Sequence, residues 1–512
     1  MLIKIGARTK FLNRPILLKL MCLAFACVLL LSFSSCRNEG SAIEKTANVP
    51  AVEIYNEAIA ISNIPGSGSA YPVDINAYLL NQAEEMNLEA KIDEYGNVII
   101  EKPASEGMKD LPVTVLFCST HSTVAAESMI LDIESNIIGS QNRTITATRN
   151  LGISTILSIL KYSDKTGPIK AIFTCDTDPV YSASAYLDKF IEDASYLIGF
   201  SGVEGISVYN ESPSTRLLTS KMDIQRVAPN TKYAYVIAAT GYPFNSNSRI
   251  TPLKAISDIL TTAKTGGLYF ELASIEANSE PLLSPSEATA IVLLDDYEKK
   301  RFSSMFSGFA KEYTSSLPKG YENVNLQLID TKLPQAVLSD GDTDKIVAYL
   351  YGLFNNGNIP EASDILPMCI NKISLNDNAF SCTISVLGND ETLAQIISDQ
   401  SSISEFTGIT LIESGSIAGY KTVKDGLLST RLQDSMSKYI NEKVAFNSLL
   451  WTTELGTIAK NNPDISTISL GWDINSDAIY SERVSLNDIA APANTVIDFL
   501  SHLDEIKEDN SH

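Results

Sequence analysis

The residues with the most chemical potential stand at the end of an apolar run, VTVLFCSTHS, from Val113 to Ser122. A strand leading into Ser119, Thr120 and His121 presents hydroxyls and an imidazole where a metal ligand or a general base would be placed. Two chemistries use such groups. In one, His121 joins carboxylates and other imidazoles around a metal ion. In the other, Ser119 or Thr177 is the nucleophile, His121 the base and Asp176 the group that orients it. The sequence restricts both. It holds only three histidines, and His502 and His512 fall in a terminal helix and the tail, as packing or solvent-facing residues. No G-x-S-x-G elbow is present.

Cysteine offers no better site. Of the seven cysteines, Cys22, Cys27 and Cys36 belong to the N-terminal segment. Cys118, Cys175, Cys369 and Cys382 have no CxxC spacing and hence no zinc-ribbon signature. Cys118 and Cys175 sit in apolar runs, as small buried hydrophobes. Cys369 and Cys382 flank the turn-like SLNDN and could pair across a hairpin in an oxidising compartment, with geometry deciding.

The elements that must position these residues alternate. DINAYLLNQAEEMNL has an acidic start and helical spacing. EAKIDEYGNVIIEKP reads as two strands around a turn at Tyr95-Gly96-Asn97. VTVLFCS is a strand, NLGISTILSILKYS a helix, PIKAIFTCDT a strand, YSASAYLDKFIED a helix and ASYLIGFSG a strand. Strands alternating with helices predict a largely parallel sheet covered on both faces. Near residue 206 the texture changes to the strands KYAYVIAATG and SEATAIVLLD, the helix PLKAISDILTTAK, a helix from Asp296, and a hairpin in CINKISLNDNAFSCTISVLG. From about Lys421 the helix TRLQDSMSKYINEK, the strand STISLGW and the helix TVIDFLSHLDEI return to the first pattern. The expected architecture is a discontinuous α/β domain, 51–205 and 421–512, with an inserted α+β domain, 206–420.

Composition fits that reading. A chain of 512 residues exceeds one ordinary core, and 44% hydrophobic with 20% charged residues is the balance of a folded protein. A net charge of -22 without a basic cluster in the body repels phosphate backbones, so no nucleic-acid partner is expected. Lys4, Arg8, Lys10, Arg14 and Lys19 precede the apolar LMCLAFACVLLLSF and then Ser-Ser-Cys, the layout of a secretory signal over residues 1–35. Phe33-Ser34-Ser35-Cys36 resembles a bacterial lipobox with phenylalanine in place of the usual leucine; Cys36 would carry the lipid. An uncleaved membrane anchor is the alternative. Removing residues 1–35 takes away five positive charges and no negative ones, so -22 becomes -27. Residues 36–50 are a polar tether. The body is expected to be exported and lipid-anchored in a bacterial cell envelope.

The run EAKIDEYGNVIIEKPASEGMKDLPVTVL, with SPSEATAIVLL further on, resembles the aminoacyl-histidine dipeptidases, a branch of the two-zinc exopeptidases. The resemblance extends as a collinear match over most of residues 52–505. It implies a zinc-exopeptidase-like catalytic-type domain with an inserted lid, a zinc pair as cofactor, and in many relatives dimer contacts through the lid. Carried over residue by residue, the first ligand motif, His-x-Asp, falls on Ser119 and His121. The bridging aspartate falls on Arg149, and the paired glutamates, general base and ligand, on Thr177 and Asp178. A further aspartate falls on Ser201 and the last histidine on Tyr480. The lid histidine falls on Pro243 or Phe244, and the lid asparagine and arginine near Leu282 and Val386. Glu454 aligns near an acidic ligand position, although an ordinary surface acid is the simpler reading.

Set against that motif, the metal ligands and the general base are replaced, and no zinc is expected. Arg149 could supply, toward Asp178 and Asp176, the positive charge that metals supply in the family; equally, it could be a solvent-exposed arginine on a loop before a helix. The functional expectation is a non-catalytic envelope lipoprotein that binds a peptide or protein, or serves structurally, with a homodimer through the lid as a further partner state. The alternative is an active dipeptidase or other hydrolase using a divergent site.

Overall fold

A run such as VTVLFCS, apolar but for Thr114 and Ser119, can be stable only where both faces of its sheet are covered, and the structure covers them, burying every position but the last. The structure is a computed structural model describing residues 48–64, 73–120, 129–132, 137–140, 146–175, 184–202, 205–243, 249–279, 283–355, 367–376, 378–475 and 483–505. Helices α1 (Ala51–Ser62) and α2 (Val73–Glu85) precede strands β1 (Glu89–Ile92), β2 (Val98–Lys102) and β3 (Val113–Ser119). Then come β4 (Met129–Asp132), β5 (Ile137–Ser140), α3 (Thr146–Tyr162), β6 (Ile169–Thr174), α4 (Asp188–Ile191), β7 (Ala194–Gly202) and β8 (Val208–Ser212).

The middle of the chain runs β9 (Ser214–Asp223), β10 (Arg226–Val227), β11 (Tyr233–Thr240), α5 (Pro252–Thr265), β12 (Glu271–Asn278), β13 (Ala288–Leu294) and α6 (Asp296–Ser316). It continues through β14 (Asn325–Thr331), β15 (Val337–Leu338), α7 (Asp340–Phe354), β16 (Met368–Leu375), β17 (Ala379–Gly388), α8 (Asp390–Thr407) and β18 (Thr410–Ile417). The last part is β19 (Tyr420–Lys421), α9 (Leu427–Ile440), β20 (Phe446–Ser448), α10 (Glu454–Asn461), β21 (Ser466–Gly471), β22 (Ile474–Asn475), β23 (Arg483–Ser485) and α11 (Ala491–Ser501).

The first sheet has the order β1-β2-β6-β3-β7-β21-β8-β19, with β20 beside β8. Its centre, β6, β3, β7 and β21, is parallel, while β1, β2 and the β8–β21 pair are antiparallel margins. One face packs Leu116, Cys118 and Ile198 against α1, α3, α9 and α11; the other packs Val115, Phe117 and Leu197 against Leu455 and Ile458 of α10. The second sheet, β14-β11-β13-β12-β16-β17-β9-β18, is antiparallel throughout. It buries one face under α5, α6, α7 and α8 through Ile256, Phe302, Leu350 and Ile396. A small sheet, β22-β23-β5-β4, follows the ends of β3 and β21.

The chain passes from the first sheet to the second at Pro213 and returns between Ile417 and Tyr420. At the return the two crossings touch backbone to backbone. A Cβ on Gly419 would lie 2.2 Å from the Ser212 carbonyl oxygen, so only glycine fits.

Two expectations are corrected. Over its described residues, 184–193, the helix expected for YSASAYLDKFIED is a 3-10 turn, Ser184–Tyr186, and the four-residue α4. The Tyr186 ring stacks on Tyr95 at 4.2 Å while Leu187 and Ile191 turn into the core, and a short turn serves both. The Cys369–Cys382 bridge is not formed: both are free and buried. In the β16–β17 hairpin Cys369 stands opposite Ser385 and Cys382 opposite Ile373, and only Cys382 belongs to the core under the helices.

Candidate functional site

Four parallel strands, β6, β3, β7 and β21, end along one edge, the side of an open α/β sheet where ligands are bound. The register sets Ser119 beside Thr174 and Leu470 beside Phe200. Just past β3, Thr120 is 2% exposed, and both its N–H and its Oγ1 donate to the Thr174 carbonyl, at 2.7 and 2.9 Å. That leaves the Thr120 carbonyl turned toward α3.

Helix α3 comes close to β3 because Gly152 has no side chain; a Cβ there would lie 2.6 Å from Cys118 Sγ. The approach carries Arg149, in the first turn of α3, over the strand end. Its Nε and Nη2 donate to Asn150 Oδ1 at 3.0 and 2.7 Å, and Nη1 donates to the Thr120 carbonyl at 3.2 Å. Arg149 has further interactions beyond these. It is 7% exposed, and desolvation pulls its pKa down to about 10, with the Cys118 thiol acting weakly the other way. The guanidinium therefore keeps its charge at neutral pH. A cation in a first turn opposes the helix dipole, so its hydrogen-bond partners hold it there, not the helix. Beside it, burial pushes the Cys118 thiol up to about 12, Glu454 adding to the rise and Arg149 opposing it.

The next strand ends carry hydroxyls that satisfy one another. Ser201 N–H donates to Ser469 Oγ at 3.1 Å, and the two Oγ atoms are 2.9 Å apart. Glu454 opens α10, where a carboxylate suits the positive end of the helix.

Of the positions singled out from sequence, Ser119, Arg149 and Ser201 are brought to this one edge. Arg149 is inside a helix and buried, which corrects the reading of an exposed loop residue. Val386 is fully buried in the second sheet's core, between Met368 and Arg216 in register. Pro243 is buried just past β11. His121, Asp176, Thr177, Asp178, Tyr480, Phe244, Leu282 and Cys36 lie outside the described residues. Sequence reasoning missed Thr120, Asn150 and Ser469. The strict alternation in STISLGW, which sets Ser469 on the face opposite Ile468 and Leu470, was a signal for the last.

The described donors do not fit zinc. Ser119 and Ser201 offer neutral hydroxyls in place of imidazole and carboxylate, and Arg149 brings a positive charge. Among the described residues no group of three or more His, Cys, Asp or Glu could hold a metal ion.

No protein-family model and no curated protein sequence matches the chain. Solved structures do. The aminoacylhistidine dipeptidase of Vibrio alginolyticus superposes with a TM-score of 0.60 at 18% identity, over 89% of this chain and 98% of that one. A tripeptidase of Staphylococcus aureus gives 0.55 at 12% identity, over 89% and 99%. The aminopeptidase PepT of Bacillus cereus gives 0.52 at 10%, again over 89% and 99%. At these identities the likeness establishes the fold, that of the dipeptidase-type peptidases, mixed α/β with catalytic-type and lid domains.

Proposed function

We propose that this chain is an envelope lipoprotein that uses a dipeptidase-type fold to bind, not to hydrolyse. The observation that carries the reading is Arg149, a buried guanidinium at the carboxyl ends of the parallel strands, on the position where the dipeptidase resemblance expects a bridging aspartate. Within about 4 Å a guanidinium repels a dication by about 8 kcal/mol at an effective dielectric of about 20. A cluster of acids left behind by lost metals would need such a cation, because carboxylates desolvated together repel. Arg149 answers that need with a fixed charge. The hydroxyls of Ser201 and Ser469 are likewise turned to each other.

The partner is a peptide or protein ligand at the carboxyl ends of the parallel strands, and the membrane is reached through a lipid on Cys36. Among the described residues no helix is long and apolar enough to cross a membrane. A homodimer through the lid has a suitable surface in β18, the outer strand of the second sheet. Ile412 on it is 48% exposed, and Phe406 just before it is 89% exposed.

The test is turnover. The soluble form beginning after Cys36 is assayed on Xaa-His dipeptides with zinc supplied. No hydrolysis above background is expected; sustained turnover would establish the alternative, a hydrolase working through a divergent site.

A further inference from the structure

The chain enters its folded part through a built joint. Val49 is 3% exposed; its N–H donates to Asn494 Oδ1 at 2.7 Å, and its carbonyl accepts from Asn494 Nδ2 at 3.3 Å. One carboxamide, itself 6% exposed, thus satisfies both main-chain groups of one residue. One step upstream, Tyr439 Oη donates to Asn48 Oδ1 at 3.1 Å. Segments that begin a domain fray unless tied down, and this one is tied to α9 and α11 together.

We infer that the surface around Asn48 formed by the exposed positions of α9 and the turn after it, Asp434, Lys438, Glu442 and Lys443, is the face this protein turns to a lipid bilayer, with Asn494 of the buried α11 as the positioning residue that fixes where the anchored arm leaves the fold. The inference rests on the lipoprotein reading, in which Cys36 carries the lipid. From Cys36 to Asn48 the arm has 12 residue steps. Fully extended it reaches about 40 Å, and as a flexible coil about 20 Å. A folded unit of this length is about 60 Å across. The arm is shorter than the body, so its exit point decides which side stands nearest the membrane. Charge does not decide it: exposed Lys438 and Lys443 are matched by exposed Asp434 and Glu442 on the same surface.

The full lipidated protein in phosphatidylcholine vesicles tests this. A fluorescent non-natural side chain is placed at position 443, near the exit, or at position 406, in the inserted part, with an acceptor dye on dilute lipid. Energy transfer should be at least about threefold more efficient from 443, and a flexible insert of about 60 residues after Lys45 should bring the two together. Equal transfer in the uninserted protein overturns the orientation, and a ratio that survives the insert overturns the arm as its cause. Asn494→Ala should open the chain around residue 48 to protease about tenfold faster; unchanged cleavage removes Asn494 from the joint. Mass spectrometry of the N-terminal peptide separates the premises. An unmodified Cys36 overturns the lipoprotein reading and this inference together, whereas an acylated Cys36 with equal transfer overturns only the orientation.

Discussion

Arg149 at the edge of the first sheet and Glu271 in the second are both buried charges that hydrogen-bond to neutral groups. Glu271 is 2% exposed and accepts from the main-chain N–H groups of Asn230 and Thr231 and from Thr231 Oγ1, the last at 2.6 Å. Its donors come from one short loop, and the carboxylate does one thing: it pins that loop to the start of β12. Arg149 draws instead on Asn150, its own neighbour, and on Thr120, past the tip of another strand. It ties α3 to the edge where four parallel strands end. A buried charge that closes a local loop is structural; one that fills a convergence of strand ends occupies ground a ligand would otherwise use.

Removing each charge should separate the two roles. Arg149→Ala should cost about 3–5 kcal/mol in chemical denaturation, because it strips the charge from whatever acids it balances and leaves the Thr120 carbonyl without it. Arg149→Lys should recover less than half of that, since an ammonium cannot span both acceptors as the planar fork does. A loss within about 0.5 kcal/mol for Arg149→Ala would show that no buried charge depends on it. Glu271→Ala should cost about 2–3 kcal/mol through the stranded donors of residues 230–231, and it should leave the first sheet's edge unaltered in any metal or ligand titration. Equal effects of the two alanine variants on such titrations would erase the distinction.

A third buried polar group sharpens the comparison from the other side. Gln400 in α8 is fully buried, and among the described residues neither carboxamide atom has a hydrogen-bond partner. Gln400→Met should raise stability by about 1–2 kcal/mol; a loss of similar size would mean that the carboxamide is satisfied after all.

The smallest effect is expected on the surface. The Lys161 hydrogen bond holds the Glu53 carboxyl below its ordinary value of 4.5. A depressed carboxyl contributes stability above its unfolded pKa and loses it as pH falls through the folded one. Lys161→Met should therefore lower stability by a few tenths of a kcal/mol above about pH 5, with the difference fading on acidification. Side-chain exposures of 54% and 34% keep it that small. A difference growing toward acid would have the wrong sign.

Much of the scaffold was legible in the sequence because period and composition dictate it locally. The apolar VTVLFCS had to be a strand covered on both faces, and Asp295 caps α6 by accepting from Tyr297 and Glu298 N–H. The β16–β17 hairpin followed from two runs around SLNDN, but its register did not, and register is what keeps Cys369 and Cys382 apart. β8 was illegible for a related reason. Its return to pair with β21 is a tertiary choice that no local pattern encodes. At the site, Ser119 could be named from its strand end, and Ser201 only from the dipeptidase resemblance. The burial of Arg149 could not, since it depends on Gly152 letting α3 down onto Cys118, a contact made across 34 residues between Cys118 and Gly152.

The most direct test of the charge-replacement reading is zinc titration calorimetry on the soluble form beginning after Cys36. With Arg149 holding the positive charge at the strand ends, no site-specific zinc binding is predicted. Two zinc ions bound with micromolar or tighter affinity would contradict it and put a working metal centre at the edge of the first sheet.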